Sequence, residues 1–534
     1  MNYLFQLLLL FFSIDLHGQE QTKLLADSDW PSYNFTLNGQ RFVPIDQINK
    51  SNVGQLERVC SLSLVNSGVS SSGILHVQGM LYVTSSFDTF AVDSSNCEVL
   101  WKYEHRKNVP VGSIAKVNHG AAYANDRIFR GTADGWMLAL NAKTGELVWE
   151  HQTGDPLAGE SFNGAPQTFQ GLVIIGASGG DGGLGGRVMA YETATGREVW
   201  RYYLGRRGEN PSADSSLREG AADITGGISG STYTIDASTG QVFIPISMSD
   251  STLLTLDHRV NKQFVGGLVI LDATTGARRS QYPFRWDEQH HLILNAAPVL
   301  YKSKDGERMV AFGSEDGHVY SLQRNSLERA FKIPVTRVNN PDAISMSEGA
   351  EICPGPLGGV AWNGPAFDRE NRILITGAVD SCAVVKAGPE KDSETLALDN
   401  GLEFSGKGAG WMFGLDADSG EVLWSLKTNG TQVAGITPTS GGITFSGDMA
   451  GNFRALDSRT GKILFRDKVD GGLAGGVVTY LRKGRQLVSF VVGSMSSSRA
   501  DDSGKPALHI YGLRGNQNPS ESNATRDDTE EFSF

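Results

Sequence analysis

The sequence lacks several features that would point to common classes of protein. It has no excess of basic residues, since 47 Lys and Arg against 59 Asp and Glu give a formal net charge of −12. Phosphate backbones require a cationic face, so a nucleic-acid partner is excluded. After residue 16 no long apolar run occurs, and we expect no membrane-spanning helix. The chain has only four cysteines and no Cys-x-x-Cys motif, which argues against a zinc site.

The first 16 residues are the exception to this lack of apolar runs. Their apolar core is about ten residues long, which is too short to span a bilayer and suits a signal peptide. The segment before the core has no Lys or Arg and carries only the α-amino group. We predict a signal peptide over residues 1–18 and a chain that is secreted or enters the secretory lumen. Asn-x-Ser/Thr sequons at Asn34, Asn49, Asn429 and Asn523 permit glycosylation there.

The four cysteines fit an oxidising compartment. Cys60 lies in an apolar strand and Cys97 in a hairpin turn, while Cys353 opens a Pro/Gly-rich segment and Cys382 follows a strand. Pairing neighbours along the chain predicts the disulfides Cys60–Cys97 and Cys353–Cys382.

Glycine is abundant, with 65 residues, and many glycines close a repeated hairpin. Each copy has a short apolar strand ending in Asp, Asn or Glu, a polar turn closing on Gly, and a β-branched strand ending on a large aromatic residue. The four clear copies are ALNAKTGELVW at residues 139–149, AYETATGREVW at 190–200, GLDADSGEVLW at 414–424 and ALDSRTGKILF at 455–465. Weaker copies occupy residues 91–101, 270–280 and 321–331.

The repeat predicts an all-β propeller. A second strand pair precedes each clear hairpin, as in residues 127–139 and 442–454, so each repeat supplies a four-stranded blade. One repeat cannot bury its own apolar face and must pack against the next. A two-sheet sandwich is the alternative, but it gives no reason for one turn sequence to recur. We assign residues 19–513 to the propeller and residues 514–534, which are polar and acidic, to a disordered tail.

Three segments closely resemble the quinoprotein alcohol dehydrogenases, the methanol dehydrogenase-like family. They are WPSYNFTLNGQRFVPIDQINKSNV at residues 30–53, ICPGPLGGVAWNGPAF at 352–367 and GLAGGVVTY at 472–480. The resemblance covers residues 30–512. It implies a single propeller of eight blades with an axial pocket, in which the family holds pyrroloquinoline quinone and a divalent cation such as calcium and oxidises alcohols.

The resemblance also implies the residues of the site. Asp181 falls where the family has a metal-binding glutamate, and oxygen ligands suit a hard cation. His290 falls at the position of the catalytic base, with Asp287 three residues before it. Imidazole accepts protons near neutral pH, so His290 suits that role. The positions implied for the quinone are His119, Glu315, Trp362 and Tyr233.

Several of these positions depart from the family pattern. Met248 replaces an asparagine ligand, with Asp250 two residues on, and Gly230 replaces the indole under the quinone, so that Tyr233 is the nearest aromatic residue. Ser113 and Ile114 stand at the place of a vicinal cysteine pair. Glu315 replaces a basic residue, Ala361 an amide and His119 an arginine.

Three functions are compatible with the sequence, and all take a small molecule as substrate or ligand. The first is an alcohol dehydrogenase that depends on pyrroloquinoline quinone. The second is a pocket that has lost the quinone and performs other acid–base chemistry, such as cyclisation or isomerisation, on a metabolite. The third is a propeller that binds without turnover. The fold hosts all of these, so only the site decides between them.

Overall fold

The computed structural model describes residues 28–64, 71–105, 118–154, 156, 160–177, 186–203, 226–228, 232–248, 264–285, 294, 296–339, 351–355, 358–385, 402–404, 408–493 and 504–515. These residues contain no α-helix, and a short 3-10 turn at Val53–Gln55 precedes the first strand. The predicted signal peptide at 1–18 and nearly all of the predicted tail lie outside them. Within the described residues, no helix has the length and apolarity needed to cross a membrane.

The described residues form 36 strands. They are β1 (Leu56–Ser63), β2 (Leu75–Val77), β3 (Met80–Thr84), β4 (Asp88–Asp93), β5 (Val99–Glu104), β6 (Ala122–Ala124), β7 (Arg127–Gly131), β8 (Trp136–Asn141), β9 (Leu147–Gln152), β10 (Gln167–Phe169), β11 (Leu172–Ala177), β12 (Arg187–Glu192), β13 (Glu198–Tyr203), β14 (Gly226–Ile228), β15 (Thr234–Asp236), β16 (Gln241–Met248), β17 (Phe264–Asp272), β18 (Arg278–Arg285), β19 (Val299–Lys302), β20 (Arg308–Gly313), β21 (His318–Gln323), β22 (Arg329–Pro334), β23 (Glu351–Ile352), β24 (Ala366–Asp368), β25 (Ile373–Asp380), β26 (Ala383–Val385), β27 (Leu402–Phe404), β28 (Ala409–Asp416), β29 (Val422–Thr428), β30 (Thr437–Pro438), β31 (Ile443–Gly447), β32 (Asn452–Asp457), β33 (Ile463–Lys468), β34 (Val477–Arg482), β35 (Arg485–Val492) and β36 (Ala507–Leu513).

Eight antiparallel sheets form the blades of a propeller, which confirms the predicted fold. Blades 1, 2 and 3 are β2–β5, β6–β9 and β10–β13, and blade 4 combines β16–β18 with β14 and β15, which both pair with β16. Blade 5 is β19–β22, blade 6 is β24, β25, β28 and β29, and blade 7 is β30–β33. Blade 8 is β34–β36 with β1 at its outer edge, so the two ends of the chain close the ring in one sheet. A small sheet of β23, β26 and β27 accompanies blade 6.

The repeated hairpin sequence joins neighbouring blades. At the end of blade 1, the indole N–H of Trp101 donates to the Ala142 carbonyl of the blade 2 turn at 2.9 Å. A Cβ on Gly145, whose φ is +74°, would lie 2.5 Å from the Trp101 ring. The aromatic residue and the glycine of the repeat are therefore partners across the blade junction. The same pairing joins Trp149 to Gly196, Trp200 to Gly276, Phe331 to Gly420 and Trp424 to Gly461.

Apolar cores lie between adjacent blades. Ile174 of blade 3 and Ile244 of blade 4 share one cluster of buried residues, and Tyr82 of blade 1 and Ile128 of blade 2 share another. Both predicted disulfides are present, Cys60–Cys97 and Cys353–Cys382. Each blade thus buries its apolar faces against its two neighbours, as the repeat requires.

The segment before β1 runs around the propeller and bonds to one blade after another. Its carbonyl oxygens accept hydrogen bonds from innermost-strand N–H groups at 2.7–3.0 Å, in the pairs Pro31 with Tyr123, Leu37 with Ile235, Asn38 with Leu300 and Gln40 with Phe367. Arg41 is buried, and its guanidinium donates to the Ile436 carbonyl at 3.0 Å and to Asn34 Oδ1 at 3.0 Å. The sequon at Asn34 is therefore buried, whereas Asn429 is exposed.

Candidate functional site

The segments that lead into the innermost strands meet around the propeller axis. They are residues 71–74, 118–121, 163–166, 232–233, 296–298, 361–365, 432–436 and 473–476, and we call them together the axial end. Main-chain hydrogen bonds of 2.8–3.3 Å run sideways between them, including Gly73 N to His119 O, His119 N to Asn163 O, Ala297 N to Trp362 O and Gly476 N to Ser72 O. This lateral bonding fixes the backbone that carries each axial side chain.

His119 and Trp362 touch across the axis. His119 belongs to blade 2 and Trp362 to blade 6, which stand opposite each other in a ring of eight. The two ring centroids are 4.0 Å apart, with the planes tilted by 36°. Each residue is only 8% exposed. The structure thus brings together two of the residues that the sequence placed at the quinone.

Tyr33 and Asn363 lie next to this pair. The Tyr33 ring centroid is 6.0 Å from that of Trp362, and its hydroxyl donates to Asn363 Oδ1. Asn363 Nδ2 donates in turn to the Val433 carbonyl at 2.7 Å and the Ala474 carbonyl at 3.2 Å. Burial raises the pKa of Tyr33, so the phenol stays protonated as a donor. This network fills the axis beside His119 and Trp362.

Several buried polar atoms of the axial end make no hydrogen bond to the protein. They are His119 Nδ1, Trp362 Nε1, Asn163 Oδ1, Ser71 Oγ and Gln432 Oε1. A buried donor or acceptor without a partner costs about 1–3 kcal/mol. Such atoms gathered at one place are therefore suited to bind a polar ligand.

The electrostatics of His119 follow from its surroundings. Burial lowers the pKa of His119 to about 3, and a hydrogen bond to the Ser71 backbone opposes the shift. The imidazole is therefore neutral at every physiological pH. In that state a ring nitrogen without its own proton accepts a hydrogen bond, whereas the arginine implied by the family resemblance would donate with a positive charge.

Glu315 packs against the segment that leads to Trp362. It lies in the turn between β20 and β21, and the Ser314 carbonyl accepts a hydrogen bond from the Val360 N–H at 3.0 Å. Gly359 has φ +81°, and a Cβ there would collide with the Glu315 backbone. The glycine thus permits the Glu315 backbone to approach Gly359 closely, three residues before Trp362 in the chain.

Of the remaining predicted site residues, Tyr233 belongs to the axial end by its backbone but directs its side chain into a core, and the others lie outside the described residues. Tyr233 is buried in the core between blades 3 and 4, and its carbonyl accepts a hydrogen bond from Gln167 Nε2 at 2.9 Å. Asp181 follows β11, and Asp287 and His290 follow β18, in parts of the chain that the structure does not describe. In an antiparallel blade the second and fourth strands end at the face where the innermost strand begins. Strands β11 and β18 therefore both end on the face of the axial end.

Sequence reasoning missed Tyr33, Asn163 and Asn363. A signal was present, because Asn-Gly precedes a proline before an innermost strand both in NGAP at residues 163–166 and in NGP at 363–365. The described residues also hold one acidic group near two cysteines, Glu351 beside Cys353 and Cys382. Both sulfur atoms are joined in the disulfide, so neither is a thiolate that could bind a metal.

Comparisons with known proteins agree with this architecture. The family model described as glucose/ethanol/alcohol dehydrogenase, beta-propeller domain, matches residues 30–345, and the model described as outer membrane protein assembly factor BamB matches residues 408–500. The dehydrogenase subunit of a quinone alcohol dehydrogenase from Gluconacetobacter polyoxogenes is 30% identical, over 87% of this chain and 71% of that protein. A quinoprotein ethanol dehydrogenase from Pseudomonas aeruginosa is 26% identical over 77% of each chain.

Solved structures show the same fold. A europium-containing methanol dehydrogenase superposes with a TM-score of 0.80 at 23% identity, over 93% of this chain and all of that one. A quinohemoprotein alcohol dehydrogenase from Comamonas testosteroni superposes with a TM-score of 0.77 at 20% identity, over 95% and 82% of the two chains. The chain therefore belongs to the pyrroloquinoline quinone-dependent alcohol dehydrogenase β-propeller family.

Proposed function

We propose that the protein is an oxidoreductase that oxidises an alcohol group of a small organic molecule at the axial end of the propeller. The curated relatives that it matches are named alcohol or ethanol dehydrogenases, which supports the reaction class. The observation that carries the proposal is the set of buried polar atoms at the axial end that lack a protein partner, at His119, Trp362, Asn163, Ser71 and Gln432.

The residues we propose for the chemistry follow β11 and β18 in sequence, and both strands end on the face of the axial end. His290 takes the proton of the substrate hydroxyl, with Asp287 three residues before it. The hydride from the hydroxyl-bearing carbon passes to a soluble organic electron acceptor, which is thereby reduced by two electrons. Asp181 is the proposed carboxylate ligand of a divalent cation, because carboxylate oxygen suits a hard cation such as calcium. The ends of β11 and β18, which precede these residues, support their convergence.

The described axial residues do not fit pyrroloquinoline quinone. The flat surface of His119 and Trp362 suits a planar ring, but the quinone carries three carboxylates that require cations or several donors. His119 is neutral there, and Glu315 adds a carboxylate to the neighbouring turn. The proposed oxidation therefore includes no step on the quinone.

This charge pattern favours a second candidate function, acid–base chemistry on a metabolite without the quinone. Glu315 and His119 stand where the family resemblance implies cationic side chains, and the carboxyl group of Glu315 can exchange a proton. In this reading His290 remains the proposed base, and the reaction is a cyclisation, an isomerisation or a related step.

We also propose that the protein works outside the cytoplasm. Its two disulfides suit an oxidising compartment. The apolar leader at residues 1–18 and the exposed sequon Asn429 agree with export by a secretory route.

An oxidation assay distinguishes these functions. Purified protein is given a panel of small alcohols and an artificial electron acceptor, with and without pyrroloquinoline quinone and calcium chloride. Oxidoreductase function predicts alcohol-dependent reduction of the acceptor above the rate of heat-denatured protein. If no alcohol is oxidised under any of these conditions, the oxidoreductase proposal is wrong and the acid–base or binding function stands.

A further inference from the structure

The axial contact between His119 and Trp362 has a chemical asymmetry. Trp362 Nε1 carries a hydrogen and can only donate, whereas His119 Nδ1 has no hydrogen-bond partner in the protein. The rings that carry these atoms have centroids 4.0 Å apart. An unpartnered indole N–H and an unpartnered imidazole nitrogen thus belong to two rings in contact, contributed by opposite blades.

We propose that this pair recognises an uncharged, flat organic ligand through an edge that carries a carbonyl oxygen beside an N–H or O–H group. The carbonyl accepts the Trp362 Nε1 hydrogen, and the N–H or O–H donates to His119 Nδ1. The inference deepens the proposed function, on which it rests for the location of the ligand, by naming the chemical class that the site selects.

Packing alone does not explain the pair. A propeller axis that needed only filling would be served by apolar side chains such as Val379 and Val433, which lie in the same buried cluster as Trp362. Placing an imidazole and an indole there instead leaves two polar atoms without partners, at a free-energy cost that an apolar filler avoids.

Selection of an uncharged edge follows from the charges around the pair. His119 is neutral because burial depresses its pKa, so it adds no positive charge for a carboxylate. Arg41 is buried near the axis, and its Nη2 also lacks a protein partner and lies against Gly435 and Gly476. Its guanidinium carbon is 5.2 Å from the Tyr33 ring, which is itself 6.0 Å from the Trp362 ring, so Arg41 is separated from the pair by Tyr33. A carboxylate at the pair would lose its hydration without a direct cationic partner, whereas an amide would satisfy both orphan atoms.

The matched ligands 2-naphthamide and 2-naphthoate test this selectivity. They have the same shape, but the amide offers a carbonyl and an N–H donor whereas the carboxylate offers acceptors only and a negative charge. Isothermal titration calorimetry at pH 7.5 should show the amide binding at least about tenfold more tightly, since it makes one more hydrogen bond and avoids burying a charge.

Two variants test whether His119 and Trp362 cause the preference for the amide over the carboxylate. Trp362→Phe keeps a flat ring but removes the donor, and should weaken the amide about three- to tenfold with little effect on the carboxylate. His119→Arg supplies a charge and removes the acceptor, and should reverse the preference. His151→Gln is the control, because His151 also packs on an aromatic ring, Tyr191, but is exposed on an outer strand. It should bind both ligands as the unaltered protein does.

Three results would overturn the proposal. They are carboxylate binding as tight as amide binding, no binding of either ligand up to its solubility limit, or a preference that Trp362→Phe leaves unchanged. The Trp362→Phe result stands even if His119→Arg does not fold. Failure of alcohol oxidation in the separate assay would leave the measured ligand preference intact, so the two proposals fail independently.

Discussion

Cys60 occupies the position in blade 8 that the aromatic residue of the repeat, such as Trp149, occupies in other blades. Cys97 occupies the position of the glycine in the repeated turn, such as Gly145. Cys60 is opposite Ile510 in the sheet, with Val59 as an extra, exposed residue before it. Trp149 is opposite Ala139 in the same way, with the exposed Val148 before it.

The turn residues correspond as well. Cys97 has φ +65° and donates its N–H to the Asp93 carbonyl at 3.2 Å, and Gly145 has φ +74° and donates to the Asn141 carbonyl at 2.9 Å. A disulfide therefore replaces the aromatic contact at the junction between blades 8 and 1. This is where the two ends of the chain meet, and a covalent link there opposes opening of the ring.

We predict that removing this link destabilises the protein. Cys60→Ser with Cys97→Ser should lower the free energy of unfolding by about 2–4 kcal/mol, because the unfolded chain loses a cross-link. Cys60→Trp with Cys97→Gly should recover part of that loss by restoring the contact used at other junctions. Thermal denaturation followed by circular dichroism measures both. Equal melting temperatures for the unaltered protein and the serine variant would contradict the prediction.

Replacing the glycine of the repeat should lower the free energy of unfolding for two separable reasons. Gly145→Ala places a residue that has a side chain at a position with positive φ, and it adds a Cβ that lies 2.5 Å from the Trp101 ring. Gly171→Ala is the matched control, since Gly171 has φ +78° but no atom within 4 Å of the added Cβ. We expect a loss of about 1 kcal/mol at Gly171 and roughly 2–4 kcal/mol at Gly145. Similar losses at both positions, measured in urea, would show that the aromatic contact contributes nothing.

Stability should fall as the pH is lowered from 7 to 4.5. Burial lowers the pKa of His119 to about 3 and that of His509 to about 4. The unfolded chain titrates near 6.5, so below that pH it takes up protons that the folded protein excludes. Each histidine should therefore cost roughly 2–3 kcal/mol of stability at pH 4.5, and none above pH 7.

The variant His119→Gln isolates the contribution of His119 to the loss of stability at low pH. Its stability should depend less steeply on pH than that of the unaltered protein between pH 6.5 and 4.5. Carboxylates with ordinary or lowered pKa values contribute mainly below this window. Urea denaturation midpoints across the range measure the slope, and parallel slopes for the two proteins would refute a buried neutral His119.

The proposed base can be tested independently of any cofactor. His290→Ala should lower turnover about 10²–10⁴-fold on whichever substrate is active, the usual contribution of a positioned base. His151→Ala should leave turnover unchanged. Asp181→Ala should abolish stimulation by added calcium if a cation acts in the reaction. Turnover of His290→Ala at the level of the unaltered protein would remove this residue from the chemistry.

The fold was predictable because the repeat encodes its own contacts. The turn that ends on Gly145 and the strand that ends on Trp149 specify both a hairpin and its packing on the next blade. Where the glycine is replaced by Leu327, the preceding blade carries Ser280 at the aromatic position, so the partners change together.

The axial end could be predicted only in part. Comparison with the family pattern brought His119 and Trp362 to one site, but their direct contact depends on how the ring of eight blades closes, which no local pattern determines. The hydrogen bond from Tyr33 to Asn363 likewise joins the first described segment to blade 6. Such pairs become visible only once the strands are arranged in space.

A crystal structure of the protein grown with 2-naphthamide tests recognition of the ligand by His119 and Trp362. We expect the amide at the axial end, its oxygen within about 3 Å of Trp362 Nε1 and its nitrogen within about 3 Å of His119 Nδ1. Amide density elsewhere in the molecule, or His119 and Trp362 rings that do not touch across the axis, would contradict it.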